Sequence, residues 1–252
     1  MTDEHWKAEG AFAGTAVLLH GLTSSASTWW QVGPLLAAGG WDVTALDLPG
    51  HGDHPRDGEP ITASSMVESV ADRLPAIGVD LLIGHSMGAV VATGVADTHP
   101  ELVRALVLED PPSWRGDPDR DADRVRRSHA AAAADPDAAR RRTAADNPTW
   151  ARADVDHDVD NLLAADADAV STGLANHLRG DLLTDLAHVR VPVLLLLAEP
   201  ARSALHEPER SVIVRALAPE RVVDLPAGHC IHRDLPLNWV ESVLAFGAAV
   251  TS

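Results

Sequence analysis

The sequence predicts an α/β protein: a doubly wound, mostly parallel sheet with a helical cap inserted into it. Three observations lead there. Short apolar runs alternate with longer stretches of helical pattern, as strands joined by crossover helices do. Several of those runs are apolar at nearly every position, which fits strands covered on both faces. One long stretch, residues 113–185, contains no strand-like run at all.

Residues 15–20, 42–47, 80–84, 103–109, 192–198 and 221–225 read as the strands. Between them, residues 27–38, 62–77, 87–98, 204–217 and 235–250 read as helices. The stretch 113–185 is rich in alanine, arginine and aspartate, and is broken at Asp135-Pro136 and Asn147-Pro148. Alanine and arginine favour helix, and the prolines stand where helices start or stop. A structureless loop of that length is foreign to compact domains. The expected organisation is therefore a core of residues 1–112 and 186–252 with a helical cap at 113–185. There is no internal repeat.

Composition narrows the function. The formal charge is −17 over 252 residues, and Lys7 is the only lysine. Such a field repels a phosphate backbone, so nucleic acid is not an expected partner. An acidic surface from an arginine-rich, lysine-poor proteome explains the charge, with halophilic adaptation as the sharper alternative. Cys230 is the single cysteine, which excludes an internal disulfide and favours a reducing compartment. The N-terminal residues lack a basic start followed by an apolar stretch, and no apolar run is long enough to span a bilayer. A soluble, cytoplasmic protein with a small-molecule substrate and no membrane partner is expected.

The strongest chemical signal is Gly84-His85-Ser86-Met87-Gly88, which follows an apolar strand and opens a helix. A G-x-S-x-G match alone is common, but in a strand-to-helix setting it is specific. The turn must be tight enough to lift the serine into the open, and the glycines let strand and helix approach. The N–H of Met87 then lies at a helix N-terminus, where donor and dipole both favour an oxyanion. The bland alternative is a loop serine between two packing glycines.

With this motif the chain resembles the α/β-hydrolase family, serine hydrolase branch, over nearly its whole length. His20-Gly21-Leu22 closes a strand, similar to the family's His-Gly oxyanion loop. Asp47-Leu48-Pro49-Gly50-His51-Gly52 resembles the loop after the next strand. Gly228-His229 lies where the family carries its catalytic histidine. The resemblance implies Leu22 N–H as the second oxyanion donor, and reduced antiparallel strands at the start of the sheet.

A serine hydroxyl needs a neutral imidazole to take its proton. Of 13 histidines, His229 is preferred because Pro226-Ala227-Gly228-His229 forms a close turn after a strand. His232, three residues on, is the nearest rival. His85 adjoins the serine and should point away from it. The third member departs from the commonest family pattern, because the loop Glu199-Pro200-Ala201-Arg202-Ser203 has no aspartate. Either Glu199 serves, or the acid is Asp110 at the end of the preceding core strand, as in some lactone hydrolases and dehalogenases. Asp110 is preferred, then Glu199, with Glu109 and Glu207 behind.

Other signals carry less. The runs Asp117/Asp119/Asp121 and Asp154/Asp156/Asp158/Asp160 lack the glycine and glutamate of a calcium loop and read as solvated helix starts. His51, Asp53 and His54 find no further ligand pair, so no metal is expected. Arg140 to Arg142 reads as a solvated helix face. Neither G-x-G-x-x-G nor a phosphate loop occurs, and no cofactor is expected. Cys230 lacks the turn a cysteine nucleophile would need.

The expected function is cleavage of an ester or lactone of a small to medium, largely apolar substrate through an acyl-enzyme at Ser86. A lactone is preferred only on the Asp110 arrangement. Trp29, Trp114 and Trp150, with Trp30, are the candidate pocket residues, each equally explicable as packing. A C–C bond hydrolase or lyase using the same triad and a slow-turnover binding protein are the other classes.

Overall fold

The computed structural model describes residues 3–54, 58, 60–113, 117–176 and 182–251. Seven strands form one sheet: β1 (Glu4–Trp6), β2 (Gly14–Leu19), β3 (Trp41–Leu46), β4 (Val79–His85), β5 (Val103–Glu109), β6 (Val193–Leu197) and β7 (Val222–Asp224). Their spatial order is β1-β3-β2-β4-β5-β6-β7. Every pairing is parallel except that of β1 with β3, so a single antiparallel strand leads the sheet.

Side chains alternate along each inner strand and divide the interior in two. Val17, Leu19, Leu82, Leu106, Leu108, Leu195 and Leu197 face one core, together with Met87, Val91 and Val95. That side is covered by α2 (Ala63–Ala71), α3 (Met87–Thr98), α8 (Leu182–His188) and α9 (Glu209–Ala216). Leu18, Leu81, Ile83, Val107, Leu194 and Leu196 face the other core with Trp29, Trp41, Trp239 and Phe246. There α1 (Val32–Ala38), the short α10 (Ile231–Asp234) and α11 (Pro236–Thr251) supply the cover. Both faces are buried, which is why these strands read as continuous apolar runs.

Between β5 and β6 lie α4 (Pro118–Ala134), α5 (Pro136–Asp146), α6 (Arg152–Ala164) and α7 (Ala167–Asn176), followed by α8. The proline signals fall at helix starts. Asp117 caps the N–H of Asp119 with Pro118 in the first turn, and Asp135 caps Ala138 with Pro136 there. Asp154 ties α6 to the core by accepting from the Trp30 indole at 2.9 Å and from Gln31 at 2.8 Å. α8 packs against α3 of the sheet domain.

Some elements are shorter than the pattern suggests. The helix expected over 27–38 is a 3₁₀ turn, Ala26–Trp29, followed by α1. The one expected over 204–217 begins at Glu209, because the backbone of 203–205 is bonded elsewhere, as described below. The one expected over 62–77 ends at Ala71, ahead of Pro75. Among the described residues, no helix is long and apolar enough to cross a membrane.

Candidate active site

Strand register sets the site. His85 of β4 stands opposite Glu109 of β5, so Ser86 and Asp110 leave the sheet side by side at its carboxyl edge. That edge is where open α/β sheets bind ligands. The Ser86 N–H donates to the Glu109 carbonyl at 2.9 Å, and the Asp110 N–H to Leu196 at 2.8 Å. Both residues sit at positive φ, 52° for Ser86 and 40° for Asp110, in a backbone region side chains rarely adopt.

The turn at Ser86 depends on its glycines. A Cβ on Gly84 would overlap the Gly88 carbonyl, and one on Gly88 would lie 2.6 Å from the His20 carbonyl oxygen. Strand β4, helix α3 and the end of β2 therefore meet at backbone distance. Ser86 lines a cavity of about 520 Å³ together with Leu22, His85 and His229. Among the described residues, neither the Leu22 nor the Met87 N–H has a backbone acceptor in the turns and loops.

His20 fixes the loop that carries Leu22. Its Nδ1 lies 2.7 Å from the Gly21 carbonyl, and its Nε2 accepts from the Leu48 N–H at 3.0 Å. The ring must therefore be neutral, with its proton on Nδ1. Burial enforces that state by lowering the His20 pKa from 6.5 to about 4. The loop after β3 is closed by Asp47, which accepts from Ala26 N–H at 2.7 Å and Asp53 N–H at 2.8 Å.

His229 and Asp110 are brought together, with Nδ1 2.7 Å from Oδ2. The carboxylate is fully buried and accepts four donors, two on each oxygen. Oδ1 receives the Ser203 hydroxyl at 2.6 Å and Ala198 N–H at 3.3 Å; Oδ2 receives Ala204 N–H at 2.8 Å and the imidazole. Ser203 itself accepts from Leu205 N–H at 3.0 Å, which directs its own proton to Asp110. A carboxylate so surrounded holds the His229 proton on Nδ1 and leaves Nε2 free to act as a base.

Glu199 does not reach His229. It is exposed and borders a separate hollow with Pro226 and Arg210. Glu207 is exposed, 4 residues from Ser211, whose N–H its carboxylate accepts. Glu109 turns to the opposite face of the sheet from Asp110, where it accepts from His232 Nδ1 at 2.8 Å, His232 N–H at 3.0 Å and Trp239 Nε1 at 2.9 Å. His232 Nε2 is 3.0 Å from the Thr28 hydroxyl, which receives two N–H groups of Arg233 at 3.1 and 2.9 Å. The hydroxyl must then give its proton to His232 Nε2, and the ring its Nδ1 proton to Glu109. Burial lowers the pKa of His232 and raises that of Glu109.

His85 donates from Nε2 to the His229 carbonyl at 3.0 Å, bracing the loop of the candidate base. Burial holds it neutral as well. Among the described residues, His85, Glu109 and His232 bring ligand-type atoms within 4.8 Å of one another. Glu109 and His232 bond to each other, to Trp239 and to Thr28, and His85 commits its Nε2 to the His229 carbonyl.

The tryptophans are placed differently from expectation. Trp29 does not line the cavity: it is fully buried in the core, 4.4 Å from the His232 ring and 5.7 Å from Trp239. Its 3₁₀ turn directs the indole beneath the sheet. Trp150 lies under the Arg233 guanidinium at 4.4 Å and borders an outer hollow instead. Trp114 lies outside the described residues. Sequence reasoning weighs His85 only as the neighbour of the serine and misses the roles of Ser203 and Arg233; the aspartate-free loop 199–203 signals only that the acid comes from Glu199 or from elsewhere.

A pimeloyl-[acyl-carrier protein] methyl ester esterase of Klebsiella pneumoniae is 36% identical over 107 residues, which is 42% of this chain and 40% of that protein. The match thus spans well under half of that relative. Similar solved structures cover almost the whole chain at lower identity. An esterase from Thermogutta terrifontis has a TM-score of 0.76 at 20% identity over 100% of this chain and 94% of that one. An enol-lactonase from Burkholderia xenovorans has a TM-score of 0.75 at 20% identity, covering 97% and 95%. A family model described as the alpha/beta hydrolase family matches residues 16–242, in agreement with the sheet order and the turn at Ser86, and the chain belongs to that family.

Proposed function

We propose that this protein is a serine hydrolase of ester or lactone bonds in small to medium substrates, with Ser86, His229 and Asp110 as its triad. One observation carries the reading: Ser86, raised at φ 52°, opens into the same cavity as His229, whose Nδ1 is held by the buried Asp110. The esterase named among the sequence relatives supports the ester bond as the target.

In the reaction, Ser86 Oγ forms a bond to the carbonyl carbon as its proton passes to His229 Nε2. The carbonyl π pair moves to oxygen, where the N–H groups of Leu22 and Met87 stabilise the charge. Collapse expels the alkoxide, which takes the proton from the imidazolium. Water then adds to the acyl-enzyme by the same route, with His229 again accepting and returning the proton. Asp110 balances the imidazolium in both halves.

A fluorophosphonate probe and p-nitrophenyl butyrate test this. The expected result is labelling confined to Ser86, a burst of p-nitrophenol, and loss of both in Ser86→Ala. Labelling that survives Ser86→Ala would overturn the assignment.

A further inference from the structure

The floor of the Ser86 cavity is the sheet edge; its roof is α4, α5 and α6. On α5, Ala139, Arg142, Thr143 and Asp146 face the cavity at helical spacing, and no residue of that helix is fully buried. A cavity meant for a wholly apolar ligand would place apolar side chains on this face. Here the roof is partly charged.

The charges are unequal. Arg124, Arg142 and Arg233 line the cavity against Asp146 and Asp158, leaving one positive charge in excess. Arg233 is buried and already compensated: it meets Asp158 at 2.9 Å, holds Thr28, and lies over Trp150. Arg124 is more exposed and more loosely held, in an ion pair with Asp121 of its own helix at 4.0 Å. Arg142 makes no ion pair among the described residues. In a chain of net charge −17, a cavity wall with surplus arginine is a local reversal of the field. Guanidinium groups present forked donors that match a carboxylate.

We infer that the substrate carries a carboxylate remote from its scissile carbonyl, bound by Arg124 and Arg142 while Ser86 attacks. Val125, Val159 and Leu162 of the same wall take the apolar body between the two ends. The single excess charge selects a monoanion over a phosphate dianion. This rests on the serine hydrolase reading above and names the substrate class for that site.

Two p-nitrophenyl esters of equal chain length test it: the valerate, which is neutral, and the glutarate half-ester, which ends in a carboxylate. The expected kcat/KM favours the half-ester by about tenfold at low ionic strength, mostly through KM, as for loss of a charge-assisted hydrogen bond. Salt reduces that preference. Arg124→Gln with Arg142→Gln brings the ratio of the two kcat/KM values toward one, and Arg124→Lys with Arg142→Lys retains part of it. Both side chains are exposed and glutamine keeps helix propensity, so the variants fold. Protection of Ser86 from the fluorophosphonate by glutaramate, but not by valeramide, gives the same answer without turnover.

A wild-type enzyme that cleaves the valerate as well as or better than the half-ester overturns the inference while leaving the hydrolase reading intact. A preference that survives the double glutamine variant overturns it too. If Ser86 is not labelled and neither ester is cleaved, the hydrolase reading fails and takes the inference with it.

Discussion

Replacing Asp110 by asparagine keeps the shape of the side chain and removes only its charge and one acceptor. Four donors converge on the two oxygens, two on each. An amide has one oxygen and one NH2 group. Turned one way, its NH2 faces the Ala204 N–H and His229, and the imidazole must move its proton to Nε2, where Ser86 needs a lone pair. Turned the other way, the Ala198 N–H loses its acceptor, and the imidazolium formed during catalysis has no anion beside it. Two unit charges about 4 Å apart attract by about 4 kcal/mol at an effective dielectric of 20. That corresponds to a factor of roughly 10³ in rate. The equivalent change in trypsin costs roughly 10⁴. We expect kcat for p-nitrophenyl butyrate to fall by about 10³- to 10⁴-fold in Asp110→Asn, with KM little changed and a cooperative thermal melt retained. Glu199→Gln should stay within about twofold, since that carboxylate is exposed to solvent. A folded Asp110→Asn enzyme that loses less than about tenfold, or no more than Glu199→Gln does, would refute the assignment.

Two further outcomes follow from packing and protonation. Gly88→Ala forces a methyl group against the carbonyls of Leu19 and His20, which are backbone atoms and cannot swing aside. Its stability, read by urea unfolding, should drop by more than about 2 kcal/mol; a change below about 0.5 kcal/mol would contradict the close approach described. Stability should also decline as pH falls from 6.5 toward 4. His20, His85 and His232 have folded pKa values below their unfolded ones, so their contribution is complete above 6.5 and is lost on acidification. For His20 alone the shift to about 4 is worth on the order of 3 kcal/mol. Glu109 acts oppositely, since its raised pKa favours the fold at low pH, but it is one group against three. His20→Gln, whose amide oxygen would accept the Leu48 N–H, should show a smaller drop in urea midpoint over that interval; identical drops would count against the neutral His20.

Much of the site is legible in the sequence because it is local. Gly84 to Gly88 encodes a turn whose requirements are met within five residues, and His20-Gly21 and Gly228-His229 follow directly from strand ends. The acid is less legible, since Asp110 and Glu109 are adjacent and only the pleat decides which one faces His229. What made Asp110 effective was not legible: its donors come from Ala198, Ser203 and Ala204, 88 to 94 residues away. The burial of Trp29 is hidden from the sequence for a related reason. Proximity to the oxyanion loop in sequence says nothing about which face of a 3₁₀ turn enters the core. The charge balance of the cavity escaped the sequence as well, because arginines on α4 and α5 look like solvated helix faces until a sheet edge is placed beneath them.

The pleat of β5 has a consequence for fidelity. Its last residue and the one after it send two carboxylates to opposite faces of the sheet, each to a different histidine of the segment 229–232. If the strand slipped by one position, Glu109 would be carried to the face of Asp110's partners, and every leucine beside it would change cores as well. The wrong alignment would thus be penalised twice, once through displaced apolar side chains and once through two buried acids without their bases. The strand that arms the site also proofreads its own alignment.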